Sequence, residues 1–478
     1  MAGPNLPCSR MCLVSFKSVM DSEWSNVNLK HLLRRKDETM KYKGVIFSII
    51  LLLFTVIIIS LLGKTENTTN VANGKMQGTI TVWAWGGWAQ HLEDIAPIFE
   101  ERNPGININV NNQGVEQVYQ RLTTGLASGQ SSQLPDIVQM EEQRLPIYNN
   151  NFPNRFVDLT EFGFDQYADD LPEAKVAALS NEEGNLIGLP GDIGPVGLFY
   201  RKDVFEDANV DPQSIKTWDD YIDAGKTIKD ETGIDMLGFM ANDDISLYKI
   251  LLQQQGSFYF NENGEITAES LESKKAFQLM SELFHSGIAA NVTNWDGRIA
   301  SLQNGQVATV PGAVWWSRSL MQQVTNSKGN WRVMKLPEFK EGNTNAAADG
   351  GSNFVIPNAS DKQKTAYEFI KFATTDLESL TSLVENYFMF PAYTPLYEEE
   401  IFKEGNAYFG NQKVLQLFAE ISEEVPNVNY TSDYLRANIT YSDELASMML
   451  QNKNPEEALQ AVLKKLQSST GRESSEED

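Results

Sequence analysis

The chain has 478 residues, 41% of them apolar and 10% aromatic, and is too long for one small core, so two lobes or domains are expected. Its net charge is −25; residues 1–64 hold nine Lys/Arg against four Asp/Glu, a net +5, which leaves −30 on the remainder. So acidic a body repels phosphate backbones, which excludes nucleic acid as a partner, and it favours solubility outside a cell.

Val45 to Leu62 is an 18-residue run broken only by Ser48, Thr55 and Ser60. At roughly 1.5 Å per residue it makes about 27 Å of helix, close to the thickness of a hydrocarbon core. Lys30, Arg34, Arg35, Lys36, Lys41 and Lys43 precede it, and Lys64 is the only nearby basic residue after it. The positive-inside rule puts the N-terminus in the cytoplasm and the rest of the chain outside. The expected layout is a cytoplasmic arm or mis-started extension (1–42), an uncleaved transmembrane anchor (43–63) and a polar linker (64–78). A cleaved secretory signal is the alternative, with Met40-Lys41-Tyr42-Lys43 as its basic start. Cys8 and Cys12 both precede the anchor, so no disulfide holds the exterior part.

The exterior part opens with alternation at Thr79-Ile80-Thr81-Val82-Trp83, a strand, followed by Trp85-Gly86-Gly87-Trp88 as a turn. Gln90–Arg102 is a helix with Leu92, Ile95, Ala96 and Phe99 on one face, stopped by Asn103-Pro104-Gly105. Ile106–Val110 is a strand, Glu116–Ala127 a helix, and Leu134–Met140 a strand. Strand and helix alternate, so this lobe is α/β with a largely parallel sheet. Ligands bind beyond the strand C-termini of such sheets, which puts the turn at Trp85–Trp88 and the one at Met140–Arg144 on one rim.

Val196–Tyr200 is a short apolar run preceded by Pro190, Gly191, Gly194 and Pro195. A strand so rich in Gly and Pro is not laddered on both sides throughout. It reads as one that leaves one sheet and enters another. Further on come helices at Trp218–Lys229, Ser246–Gln255 and Ser270–Ser286, and strands at Met236–Met240, Gly305–Val310 and Trp331–Leu336. Asp349–Pro357 again joins glycines to a β run. Helices follow at Asp361–Thr374, at Leu377–Asn386 and from about Asn411. Ser468–Asp478 is polar and acidic and is expected to be disordered.

Little in the chain suggests catalysis. His31, His91 and His285 are the only histidines, and none lies in H-E-x-x-H or a cluster; there is no G-x-S-x-G elbow and no phosphate-binding G-x-x-x-x-G-K-[ST] loop. Carboxylate pairs such as Glu141-Glu142 and Asp243-Asp244 are common in so acidic a chain, and neighbours on a strand face opposite ways. Binding has better support. Sugars present flat C–H faces between rings of hydroxyls, so a site needs aromatic platforms together with carboxylates, amides or Arg. Trp85, Trp88, Trp315 and Trp316 fall where loops leave strands, whereas Trp83, Trp218 and Trp331 read as core. Of the adjacent pair Trp315-Trp316, at least one is expected to face a cleft. Glu141, Glu142, Arg144, Asp192 and Asp244 supply polar groups at strand exits or in the crossover.

Pro190, Gly197-Leu198-Phe199-Tyr200, Phe205 and Asp207, with the order strand, aromatic turn, helix, N-P-G, strand, helix, P-D-I, resemble the sugar-binding, maltodextrin-binding-like group of bacterial extracellular solute-binding proteins. The resemblance covers most of 79–468. Arg201 departs from it, because the family has Asn or Asp there, and Met140 stands where maltodextrin binders have an aromatic residue, so the stacking pattern differs. The resemblance implies an α/β, two-lobed periplasmic-binding-protein-like fold with hinge crossovers: lobe one at 79–193 and 352–395, lobe two at 194–351 and 396–468. It places ligand contacts at Glu141–Arg144, at Asp192–Gly194, at Val314–Trp316 and near Tyr430–Arg436, where Tyr434 and Arg436 are the candidates; Asp349, at the second crossover, completes the set. It implies a monomeric receptor, without cofactor or metal, that delivers a carbohydrate, an oligosaccharide by preference, to ABC-importer permease subunits driven by a separate ATPase. A membrane-anchored carbohydrate-active enzyme is the alternative, and a sensor ectodomain a third reading.

Overall fold

A computed structural model describes residues 76–475, apart from residues 182, 242–244 and 343. The expected anchor lies outside the described residues; among those described, no helix is long and apolar enough to cross a membrane.

In chain order the first elements are β1 (Gly78–Ala84), α1 (Gly86–Arg102), β2 (Ile106–Asn112), α2 (Val115–Ser128), β3 (Ile137–Glu141), α3 (Leu145–Asn151), α4 (Glu173–Leu179) and β4 (Leu189–Pro190). Next come β5 (Val196–Arg201), α5 (Lys202–Asp207), α6 (Trp218–Thr232), β6 (Leu237–Phe239), α7 (Ser246–Gln253), α8 (Leu271–His285), β7 (Ala289–Asn291), α9 (Trp295–Gln303), β8 (Thr309–Ala313), α10 (Trp316–Gln323) and β9 (Trp331–Met334). The chain ends with β10 (Ser352–Val355), α11 (Gln363–Thr375), α12 (Leu377–Tyr387), α13 (Glu400–Lys403), α14 (Val414–Ser422), α15 (Tyr434–Gln451) and α16 (Pro455–Thr470).

Two main sheets divide this part of the chain. The first has the order β2-β1-β3-β10-β4 and the second β8-β5-β9, while β6 and β7 form a separate ribbon. β1 is parallel to β2 and β3, as α/β alternation requires, and β10 runs antiparallel to β3 and β4. On β1, Ile80, Val82 and Ala84 enter one core and Trp83 another, the period-two pattern of a strand covered on both faces. α1 packs beneath the first sheet against α11 through Phe99 and Phe369. In the second lobe, β5 turns Val196 and Leu198 into a core shared with α6, α8, α15 and α16. α6 starts on a full capping box, in which the Thr217 hydroxyl accepts from the Asp220 N–H and the Asp220 carboxylate accepts from the Thr217 N–H.

Short connectors join the sheets and hydrogen-bond to one another. Gly191 and Asp192 both donate to the Ser352 carbonyl (3.0 and 3.1 Å), and Val196 donates to Ala347 (2.9 Å). Asp349 donates to Gly194 (2.8 Å), Ile193 to Phe390 (3.1 Å) and Ala392 to Gly191 (3.1 Å). Three chain segments therefore lie side by side where the chain passes between sheets. Their glycines are steric requirements: a Cβ on Gly194 would stand 2.3 Å from the Asp349 carbonyl oxygen, and one on Gly191 2.6 Å from that of Ser352.

Two local expectations are corrected, and two elements were not expected at all. Trp85–Trp88 is not a turn: Trp85 is the N-cap, and α1 begins at Gly86. Two adjacent glycines read as a turn, but Gly87 is buried in the first turn of the helix, with the Arg318 guanidinium and Met389 packed against it. Residues 468–475, expected to be disordered, bond to the rest of the fold instead. After the αL cap at Gly471, Ile266 donates to Glu473 (2.8 Å) and Ser475 to Ile266 (3.0 Å), and Arg472 Nε donates to Asp433 (2.8 Å). Polar composition hid the backbone partner that this segment finds. α9 and β7 were not anticipated, β7 because three residues carry no legible alternation.

Candidate functional site

The C-terminal ends of β1 and β3, the start of β10 and the connector after β4 converge on one rim of the first sheet. Buried Gln139 organises it: its Oε1 accepts from the Trp85 N–H (2.9 Å) and its Nε2 donates to Ser352 Oγ (3.1 Å). Beside it, Lys175 on α4 is a fully buried cation. Its Nζ donates to Glu142 Oε2 (2.7 Å) and to the carbonyls of Asp192 (2.7 Å) and Ser352 (3.4 Å). A buried ammonium is tolerated only with such a set of partners. Glu142 keeps 12% of its side chain exposed and so remains open on one side. A Cβ on Gly351 (φ +136°) would lie 2.7 Å from Glu142 Oε2, so the carboxylate is seated against a glycine that no other residue replaces without strain.

Asp192 accepts from Trp88 Nε1 (2.9 Å) and the Ser352 N–H (3.0 Å), both on Oδ1. Burial pushes its pKa up, opposed by Lys175 and by these two bonds. Glu141 exchanges two bonds with Tyr119: its N–H donates to the phenol oxygen (2.9 Å) and the phenol donates to Oε2 (3.1 Å). Burial, then the Glu141 charge, holds Tyr119 far above its usual pKa. Arg144 lies over the Tyr119 ring, 4.7 Å from its centroid, and 3.6 Å from Glu141 Oε2. Half-buried Trp85 packs on the same ring at 5.9 Å.

The second lobe brings its own groups to the connectors. Asp349 pairs with Lys249 of α7 (2.9 Å), and its carbonyl accepts from Trp315 Nε1 (3.0 Å). Tyr430 and Tyr434 lie between the two sets. Burial first, then Glu142 from the first lobe and Tyr434 and Asp349 from the second, raise the pKa of Tyr430. Tyr434 is raised by burial and feels Lys249, Asp349 and Glu141. Carboxylates of both lobes thus act on the same phenols. A groove of about 440 Å³ opens beside them, with Asn149 and Asn181 on one wall and Glu262 and Tyr430 on the other.

Two sheets joined by paired connectors, with polar and aromatic groups of both parts gathered beside them, make a two-lobed arrangement. The profile of bacterial extracellular solute-binding proteins matches residues 85–376. The chain belongs to that family. A lactose-binding protein of Rhizobium radiobacter is 30% identical over 364 residues, which is 74% of this chain and 84% of that protein. An arabinooligosaccharide-binding protein of Bacillus subtilis is 25% identical over 433 residues, 88% of this chain and 98% of its own. Among solved structures, an ABC-transporter-associated binding protein of B. animalis subsp. lactis in complex with β-1,6-galactobiose aligns with a TM-score of 0.68 at 25% identity, covering 84% of this chain and all of that one.

Within this solute-binding fold the expected contact residues separate. Trp85, Glu141, Glu142, Arg144, Asp192, Asp349, Trp315 and Tyr434 gather at the connectors and the rims beside them. Trp88 is fully enclosed: it packs edge-on against Phe354 (5.1 Å), and its role is to hold Asp192. The reason is the early start of α1, which turns its first helical turn into the core. Trp316 is also buried, lodged where a Cβ on Gly312 would lie 2.2 Å from its ring, while its neighbour Trp315 is 37% exposed. Arg436 faces away, with Nη1 donating to the Ser469 carbonyl (3.1 Å) and Nε 3.9 Å from Asp433. Asp244 lies outside the described residues. Sequence reasoning missed Tyr119, Gln139, Lys175 and Lys249; it named the stretch that begins at Tyr430 but chose Tyr434 and Arg436 within it. Lys175 had a signal: it falls four residues before Leu179, on the buried phase of an amphipathic helix.

Proposed function

We propose that this chain is an extracytoplasmic receptor that captures a carbohydrate, an oligosaccharide by preference, by closure of its two lobes, and hands it to the permease of an ABC importer. The observation that carries the reading is the cleft itself, where Glu142 and Asp192 from one side, and Asp349, Lys249 and the face of Trp315 from the other, offer hydroxyl partners beside an aromatic platform. Relatives named for lactose and arabino-oligosaccharides support the ligand class. Each lobe supplies part of the contact set, so ligand stabilises the closed arrangement. Release to a transporter calls for affinity of about micromolar, roughly −8 kcal/mol. The apolar run at Val45–Leu62 would tether the receptor, as a single chain, to the outer face of the cell membrane.

A thermal-shift panel of mono- and oligosaccharides tests the assignment, with lactose, galactobiose and arabino- and malto-oligosaccharides included. A sugar at about 100 times its Kd should stabilise the fold by about 2.7 kcal/mol. The shift should disappear in Trp315→Ala and in Glu142→Gln. Silence across all sugars, with a response to amino acids or organic anions, would keep the hinged receptor and discard its carbohydrate ligand.

A further inference from the structure

One cation of the second lobe rests on the first. Half-buried Arg318 lies on α10, the helix that follows β8 of the second sheet. Two residues before it, the Trp316 ring fills the notch at Gly312 of β8, so the base of Arg318 belongs to that sheet. Its guanidinium ends elsewhere. Nη1 stands 2.7 Å from the place a Cβ on Gly87 would take, in the first turn of α1, and Met389 Sδ stands 3.2 Å from the same place. The guanidinium carbon is 5.9 Å from the ring centroid of Tyr387, the last residue of α12. α1 and α12 both belong to the first lobe and are tied together there: the Tyr387 hydroxyl donates to Asp94, and His91 Nε2 lies 3.1 Å from Ser379 Oγ. Burial first, then the bond to Asp94 and the charges of Asp94 and Glu93, push the Tyr387 hydroxyl up to about 12, and Arg318 opposes them. The charge of Arg318 is therefore felt at the acidic edge of α1. Such a contact does not serve α1 itself, because the first-turn N–H groups of a helix are electropositive and repel a cation. Among the described residues, no carboxylate or carbonyl accepts a hydrogen bond from Arg318; a ring face, a thioether and the field of two carboxylates hold it. A contact of this kind forms and parts without leaving a buried polar group unpaired, as a reversible contact between two moving lobes requires.

We propose that Arg318 is a cross-lobe latch: its guanidinium, seated on Gly87 and against Tyr387 and the acidic edge of α1, sets how often the ligand-free receptor draws its lobes together. The inference rests on the closure reading above. The latch acts on the balance between arrangements and not on any one ligand. Apparent affinity scales with the fraction of receptor in the competent arrangement, so loss of the latch weakens every ligand by one common factor.

Spin-label distance measurements on the full ligand-free chain test this first, with labels at Asn150→Cys and Glu262→Cys, one on each lobe, and Cys8 and Cys12 replaced by Ser. Arg318→Met keeps an unbranched stem and removes the charge; it should move the distribution toward longer distances, and Arg318→Lys should move it less. In calorimetric titrations Arg318→Met should raise Kd about two- to fivefold, by the same factor for each of lactose and the arabino- and malto-oligosaccharides that the wild type binds. Tyr387→Leu should do the same, and the double variant should bind no more weakly than either single one. A ligand-free distribution unchanged by Arg318→Met, with only a lower melting temperature, would make Arg318 a packing residue and overturn the latch. An affinity loss confined to one sugar would make it a ligand contact and overturn the latch as well. If the wild type binds none of these sugars, the carbohydrate reading fails and the ligand-free distances still decide the latch. If a sugar binds the wild type without changing the distances, the closure reading fails and the latch with it, an outcome distinct from a receptor that closes and ignores Arg318.

Discussion

At the scale of single residues, the site is organised by side chains that never touch solvent. Lys175 neutralises Glu142 and holds the carbonyls of two connectors, so one buried charge sets both a contact group and the path of the backbone around it. Trp88 does the same for Asp192 from the core side. His91, one helical turn farther along α1, packs edge-on to Trp88 (5.8 Å), and its Nε2 lies 3.1 Å from Ser379 Oγ. Burial lowers its pKa from 6.5 to about 4, with Asp94 opposing. The folded chain therefore refuses a proton that the unfolded chain accepts between those values. Its contribution is fully present above pH 6.5 and is lost as pH falls toward 4, by about 3 kcal/mol in all. Denaturant titrations at pH 7 and pH 4.5 should show a smaller acid loss in His91→Gln than in the wild type; equal losses would remove His91 as the cause.

At the scale of elements, the connectors are the parts with least steric freedom. Gly194→Ala would press a Cβ into the Asp349 carbonyl, whose own N–H bonds back to Gly194. We expect a stability cost of about 1–3 kcal/mol and weaker sugar binding together, because the same backbone carries Asp192 and Asp349. Thr217→Ala removes the capping box of α6, none of whose hydrogen bonds involves a connector residue, and should cost about 1 kcal/mol with binding unchanged. Equal effects of the two on binding would contradict the role given to the connectors. Legibility in the sequence follows the same division. The alternation of β1, the apolar face of α1 and the span of α8 are local patterns, and they read correctly. So did the passage of Leu189–Arg201 from one sheet to the other, because Gly and Pro mark where a ladder stops. The start of α1, by contrast, falls on two glycines that read as a turn, and the bonding of the tail depends on a backbone partner at Ile266, about 200 residues away. Trp88 and Trp316 were read from loop-like neighbours, but tertiary packing buries them. Lys175 and Gln139 act through contacts that adjacency in sequence does not reveal.

At the scale of the molecule, two lobes share three hydrogen-bonded segments, and phenols between them feel carboxylates of both. Such a design gains nothing from rigidity; it works if ligand draws the lobes together. The most direct test is a pulsed electron–electron distance measurement between spin labels at Asn150→Cys and Glu262→Cys, exposed positions beside opposite walls of the groove, with Cys8 and Cys12 replaced by Ser. Adding an oligosaccharide that stabilises the fold should shorten and narrow the distance distribution, and Trp315→Ala should abolish the change. A distribution unaltered by a sugar that demonstrably binds would contradict capture by hinge closure.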